Sequence, residues 1–169
     1  SWPPGAEAPR GWRWRYYRPE TRKAFTLGAG ILGASVPRSS TLCAPSEARA
    51  LVICEGEPDW LSVHEVAHAE GLRDVSAVSM CSGWPRDLSA SIGESSPELV
   101  ILATHRDEAE GSEVERSRSK RRRALADLLE AFPSARVEAA HVPGHHDLND
   151  QRQRGTLTAW VLGALEAGE

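Results

Sequence analysis

Two carboxylates four residues apart stand at the most informative point of this chain. Glu55 and Asp59 fall in the segment LVICEGEPDWL, residues 51–61, where a short apolar run ends at a glycine. Apolar runs bounded by glycine are typical of buried strands, and a proline such as Pro58 is typical of a helix's first turn. Glu55 is therefore predicted at a strand end, with Asp59 one helical turn later on the same side. The pair indicates a divalent metal site or general acid–base chemistry.

Two more polar clusters follow apolar runs later in the chain. ELVILAT, residues 98–104, leads into His105–Glu108, and ARVEAAHVP, residues 135–143, leads into the polar loop GHHDLND. Ligands of open parallel sheets bind at the carboxyl ends of the strands, so the three clusters are predicted to converge. The carboxylates of this predicted site are Glu55, Asp59, Asp107, Asp147 and Asp150. Such hard oxygen ligands suit magnesium. The alternative for any single cluster is a solvated loop.

The elements that must position these residues alternate along the chain. Strands are predicted at 50–54, 74–80, 98–104 and 135–143, and helices at 58–70, 86–92, 113–131 and 156–167. Alternation of this kind predicts an α/β fold, a parallel four-stranded sheet flanked by helices. Short strands are also predicted within residues 12–36, where tryptophan and arginine alternate.

The composition is that of a soluble globular protein. The chain has 169 residues, 40% of them apolar and 26% charged, with a net charge of −4. This length predicts one domain, or one domain with a small appendage. Its three cysteines include no CxxC pair, so neither a disulfide framework nor a cysteine zinc site is indicated. This cysteine pattern fits a reducing cytoplasm, so a cytoplasmic location is expected. No segment has the length of a membrane helix.

Two segments concentrate basic residues. In RGWRWRYYRPETRK, residues 10–23, arginine beside aromatic residues would allow phosphate contact together with base stacking. The candidate nucleic-acid-binding residues there are Arg13, Arg15, Arg18 and Lys23. The alternative is a strand that packs its aromatic residues on the domain. The second segment, RSRSKRRR at 116–123, is either a solvated helix face or a phosphate-contacting one.

The order of the three clusters resembles a known family. EGEPD at 55–59, LATHRDEAEG at 102–111 and HDLNDQRQRGTL at 146–157 are similar to the acidic motifs of the Toprim domain. Toprim is the metal-binding module of bacterial-type DNA primases, topoisomerases and some nucleases. The greatest similarity is to phage and plasmid primases and primase-helicases, over about residues 48–165. Residues 1–11 are rich in proline, glycine and alanine, which predicts a flexible linker. The resemblance implies a basic strand-rich extension at 12–47 and a Rossmann-like Toprim domain at 48–169.

The resemblance also implies a function and roles for individual residues. It implies RNA primer synthesis in DNA replication, with single-stranded DNA template, nucleotides and a helicase domain or subunit as partners. Glu55 would act as general base or acid, and Asp107 would bind Mg²⁺ or Mn²⁺. Asp59 and Asp147 would be accessory metal ligands. His105 stands where the family's DxD motif has aspartate, and imidazole suits zinc, manganese or iron better than magnesium. A Toprim nuclease and a non-catalytic nucleic-acid-binding module remain alternatives.

A competing motif overlaps the first cluster. Residues 64–68 read HEVAH, a literal HExxH, which Gly71 and Asp74 extend to HExxHxxGxxD. On a helix His64 and His68 would face one way and could hold zinc, with Glu65 as the base. This pattern resembles metzincin peptidases. Because the helix directly follows a buried parallel-type strand, we expect surface or half-buried histidines instead.

Overall fold

A four-stranded parallel sheet forms the centre of the protein. The computed structural model describes residues 11–15, 24–28, 43–80, 95–104, 112–141 and 147–166. Its strands are β3 (Ala50–Cys54), β4 (Val75–Ser79), β5 (Leu99–Thr104) and β6 (Arg136–His141). Their order in the sheet is β4-β3-β5-β6, and all three neighbouring pairs are parallel. These four strands are the four predicted ones, with ends shifted by two residues or fewer.

Helices cover both faces of the sheet. They are α1 (Glu57–Ala69), α2 (Ser112–Ala131), α3 (Leu148–Gln153) and α4 (Leu157–Glu166), and a short 3-10 helix spans Pro45–Glu47. One core cluster joins α1, α3 and α4 to one face of the sheet. A second cluster joins α2 to the other face. The α/β prediction, a parallel four-stranded sheet flanked by helices, is confirmed.

Strand β3 shows why this layering follows from the sequence. Leu51 and Ile53 pack in the cluster under α2, whereas Val52 and Cys54 pack in the cluster under α1. Side chains alternate along a strand, so a strand covered on both faces must be apolar throughout. All five residues of β3 are buried. The uninterrupted apolar run in the sequence is thus the signature of a central strand.

Two glycines end helices where a left-handed residue is required. Gly71 follows α1 with φ 69°, and the N–H of Leu72 donates to Ala67 O at 2.8 Å. Gly155 follows α3 with φ 73° in an equivalent arrangement. Both are Schellman motifs, in which glycine avoids the steric penalty that a Cβ meets at positive φ.

Helix α3 departs from the prediction. The segment at 144–150 was expected to be a polar loop, but α3 begins at Leu148, so the loop assignment is wrong for its last residues. The predicted helix at 86–92 lies outside the described residues. The described helices include none that is both long and apolar enough to span a bilayer.

The amino-terminal strands form a separate two-stranded sheet. Strand β1 (Gly11–Arg15) pairs antiparallel with β2 (Ala24–Gly28), in a register that sets Trp12 opposite Leu27 and Trp14 opposite Phe25. Short strands within residues 12–36 are therefore confirmed. The division of the chain at residues 11 and 47 stays a prediction.

Candidate functional site

The strand order creates a crevice at the carboxyl edge of the sheet. From β3 the chain passes through α1 to β4 on one side, whereas β5 lies on the other side of β3. Connections therefore diverge between β3 and β5, and such a topological switch point is where open α/β sheets bind ligands. Ile53 pairs with Leu102, and continuing this register by two residues sets Glu55 level with Thr104. Glu55 thus stands at the switch point.

Glu55 is exposed at the end of a buried strand. Cys54, directly before it, is 1% exposed, and its carbonyl accepts the N–H of Met80 at 2.9 Å. Burial raises the pKa of the Cys54 thiol well above its usual value, and the negative charges of Asp59 and Glu55 raise it further. Cys54 therefore remains a protonated core residue. The same electrostatic effect indicates that both carboxylates lie near this strand end.

Asp59 is buried and joins two helices. It is 3% exposed, and its Oδ1 accepts the backbone N–H of Asn149 at 3.1 Å. Asn149 is the second residue of α3, so this N–H is one that its own helix leaves unpaired. The carboxylate also lies at the positive end of the helix dipole. Its other oxygen, Oδ2, lies on the side of Gly56, where a Cβ would be 3.4 Å away.

Asp147 caps the same helix end from within its own chain segment. It is the N-cap residue of α3, and its Oδ1 accepts the backbone N–H of Asp150 at 2.7 Å. Asp59 and Asp147 thus satisfy successive N–H groups of one short helix. Both were predicted as accessory metal ligands, and each has one oxygen engaged in capping. Their metal role stays a prediction.

Further contacts fix α3 against α1. The hydroxyl of Ser62 donates to Pro58 O at 2.7 Å and lies 3.5 Å from Asn149 Oδ1. Because a hydroxyl carries one proton, the second contact is the weaker. One turn further, Arg152 Nη2 donates to Glu65 Oε1 at 2.9 Å. This hydrogen bond lowers the pKa of Glu65. Helix α3 is therefore held along its length beside α1.

The predicted metal ligands lie only partly within the described residues. Among those residues no three histidine, cysteine, aspartate or glutamate side chains converge closely enough to hold an ion. Asp107 and His105 follow β5 in the sequence but lie outside the described part. The Glu55 carboxylate and Asp59 Oδ2 are hard oxygen donors of the kind that magnesium prefers. Oxygen donors are therefore present at this edge of the sheet, and the metal itself stays a prediction.

The two histidines of the HExxH motif lie in different environments. His64 is 3% exposed, and its Nε2 lies 3.2 Å from Ala77 O in β4. Its ring meets Trp60 edge-on, with centroids 5.5 Å apart. Burial lowers the pKa of His64, and the hydrogen bond to Ala77 partly opposes this effect. His68 is exposed. The expected surface or half-buried position is confirmed for His68 and wrong for His64.

The remaining residues of that extended motif have separate structural uses. Gly71 terminates α1. Asp74 accepts a hydrogen bond from Arg49 Nε at 2.9 Å, and the Arg49 N–H donates to Asp74 O. That contact lies at the amino edge of the sheet, opposite Glu55. Glu65 pairs with Arg152. The spacing of HExxHxxGxxD here serves packing and helix termination.

Sequence reasoning missed the residues that dock α3. Asn149, Ser62 and Arg152 were given no role, although Asp147 three residues before Asp150 is a usual N-cap spacing. Asp147 was interpreted as a metal ligand, so its capping role was not recognised.

Of the predicted nucleic-acid-binding residues, Arg13 and Arg15 belong to β1. Arg18 and Lys23 lie outside the described residues.

Comparison with known proteins does not assign the chain to a family. No protein-family profile matches the chain, and no curated protein and no solved structure matches it significantly.

Proposed function

We propose that this chain catalyses metal-dependent nucleotidyl transfer on nucleic acid, with RNA primer synthesis as the reaction, as part of a primase or primase-helicase. One observation carries most weight. An exposed glutamate, Glu55, follows the central strand β3 at the topological switch point. The sequence that directly follows β5, the other strand of that switch point, contains Asp107.

Glu55 is suited to the proton-transfer role. A general base must come within hydrogen-bonding reach of the proton that it removes. Glu55 is exposed, whereas Cys54 before it is fixed in the core. A carboxylate on a rigid strand end can meet the 3′-hydroxyl of a growing primer with little loss of conformational freedom. In the proposed reaction Glu55 accepts that proton as the 3′-oxygen attacks the α-phosphorus of a nucleoside triphosphate. The bond from the α-phosphorus to the oxygen that bridges it to the β-phosphate breaks, and pyrophosphate leaves.

Asp107 and His105 are proposed to hold the ion, with Asp59 Oδ2 and Asp147 as accessory donors. When bound, Mg²⁺ or Mn²⁺ neutralises the triphosphate and polarises the attacking hydroxyl. Asp59 and Asp147 support this arrangement in a second way, because both fix the start of α3. This capping keeps the segment after β6 beside the segment after β3.

The reaction is tested with the whole chain, a 5′-labelled primer annealed to a DNA template, nucleoside triphosphates, and Mg²⁺ or Mn²⁺. We expect extension that needs both nucleotides and metal and that Asp107→Asn abolishes. A Glu130→Gln variant, changed at an exposed residue near the end of α2, serves as the matched control and should extend normally.

The same assay separates the alternatives. Metal-dependent shortening of the labelled strand in the absence of nucleotides would identify a nuclease and contradict primer synthesis. Binding of DNA with neither extension nor shortening would identify a non-catalytic module.

A further inference from the structure

We infer that α2 carries a binding surface for the phosphate backbone of single-stranded nucleic acid; this inference rests on the proposed function and adds a partner surface to it. The surface is the basic band, defined as Arg118, Lys120, Arg121, Arg122 and Arg123. Five of the six residues at 118–123 are thus cationic, in a chain whose net charge is −4. The local charge therefore opposes that of the whole molecule.

The basic band is accessible because the apolar stripe of α2 faces the sheet. Ala124 and Leu128 are 8% and 0% exposed and pack in the cluster under α2. Lys120, Arg122 and Arg123 are exposed, and the Arg123 side chain keeps 83% of its surface. The fold is thus held by neighbouring residues while these cations remain open to a partner.

The exposed cations of the basic band make few contacts with carboxylates in the described part of the chain. Arg123 lies 4.0 Å from Asp127, which is a long contact. In the part of the chain that the structure describes, neither Lys120 nor Arg122 forms an ion pair. Arg118 and Arg122 are four residues apart, a spacing at which like charges on a helix repel. An anionic partner would relieve this repulsion and would pair with Lys120 and Arg122.

The position of the basic band relates it to the candidate site. Helix α2 connects β5 to β6, two parallel strands, so it starts near the carboxyl edge and runs back along the sheet. At a rise of about 1.5 Å per residue, residues 118–123 lie roughly 9 to 17 Å from the helix start at Ser112. A strand of nucleic acid that leaves the switch point on the α2 side would therefore pass over the band.

The chemistry of the band suits the phosphate backbone rather than the bases of a nucleic acid. Arginine binds phosphate oxygens with paired, geometrically fixed N–H donors. Residues 118–123 include no aromatic side chain on which a base could stack. Binding should therefore be independent of base sequence and strongly dependent on salt.

Fluorescence anisotropy with a labelled oligothymidylate tests the inference, in EDTA and without nucleotides so that catalysis plays no part. The test variant is Lys120→Gln with Arg122→Gln. The matched control is Arg73→Gln with Arg154→Gln, which removes two exposed cations from the connection after α1 and the end of α3. We expect the test variant to flatten the slope of log K against log salt by about 1.4, at about 0.7 per lost phosphate contact. The control should keep the slope of the unchanged protein.

Equal slopes for the test variant, the control and the unchanged protein would overturn the inference. Binding of vesicles of anionic lipid that is lost in the test variant, with no oligothymidylate binding, would also overturn it. The two failures are distinguishable, because binding is measured in EDTA without nucleotides. A flattened slope in the test variant with no primer extension by the unchanged protein would contradict the proposed reaction alone, and primer extension with equal slopes would contradict this inference alone.

Discussion

The Asp59 carboxylate accepts the backbone N–H of Asn149 at 3.1 Å, across 90 residues of sequence. This hydrogen bond joins the first turn of α1 to the first turn of α3 at the carboxyl edge of the sheet. A residue that resembles an accessory metal ligand thus also fixes the segment that carries Asp147. Structural and chemical roles overlap at this edge, and variants of Asp59 and Asp147 separate them.

Replacing Asp59 by alanine should lower the free energy of unfolding by about 2 kcal/mol, since a buried N–H loses a charged acceptor. Asp59→Asn keeps an oxygen acceptor and should lose less. Urea unfolding measures both changes. Glu130→Ala, at an exposed residue near the end of α2, is the control and should change stability by at most about 0.5 kcal/mol. An equally small change for Asp59→Ala would show that the bond to Asn149 contributes little.

Asp147 allows capping to be separated from metal binding. Serine is as good an N-cap residue as aspartate, whereas alanine costs about 1 kcal/mol at that position. Asp147→Ser should therefore keep the stability of the protein, and Asp147→Ala should lower it. If Asp147 is an accessory metal ligand, both variants need more Mg²⁺ for half-maximal primer extension. An unchanged Mg²⁺ requirement in Asp147→Ser would limit Asp147 to its capping role.

The buried His64 should make stability depend on pH. Burial lowers its pKa in the folded protein, whereas an unfolded histidine titrates near 6.5. As pH falls below about 6.5, the unfolded chain therefore binds a proton that folded His64 does not, and stability decreases until the lowered folded pKa is passed. His64→Gln keeps a donor for Ala77 O and removes the titration.

Urea unfolding at a series of pH values measures this effect. The unchanged protein should lose more stability on acidification than His64→Gln does. His68→Gln, changed at the exposed histidine four residues later, should follow the unchanged protein. The same pH dependence in the protein and in His64→Gln would contradict a titrating role for the buried ring.

The HExxH motif should hold no zinc. A site that binds only the folded protein adds about 2.7 kcal/mol to stability when zinc is 100-fold above its dissociation constant. Because His64 Nε2 is hydrogen-bonded to Ala77 O and Glu65 is paired with Arg152, we expect no such gain. Unfolding in zinc and in EDTA should agree. Stoichiometric zinc by elemental analysis, lost in His68→Gln, would contradict this expectation.

The sheet could be predicted from the sequence because its strands depend on local patterns. β3 and β5 are uninterrupted apolar runs, as strands covered on both faces must be. The position of Glu55 followed from the same reasoning, since a strand end needs only its own neighbours to be recognised. Pro58 likewise marked the start of α1.

The burial of Asp59 and His64 could not be predicted in this way. Asp59 is covered by α3, whose sequence lies 90 residues further along. His64 is buried because its helix packs on β4, where Ala77 offers a carbonyl. Both environments depend on which elements pack against α1, and periodicity within α1 alone carries no such information.

A comparison of two glutamates shows whether Glu55 acts on the substrate. Glu98 is the matched control, because it precedes β5 at the amino edge and its side chain is 76% exposed. We expect Glu55→Gln to lower the rate of primer extension by about 10²- to 10⁴-fold, the usual contribution of a general base. Its unfolding free energy should stay within about 0.5 kcal/mol of the unchanged protein, and Glu98→Gln should extend normally. Primer extension by Glu55→Gln at the rate of Glu98→Gln would contradict the proposed role of Glu55 as the general base.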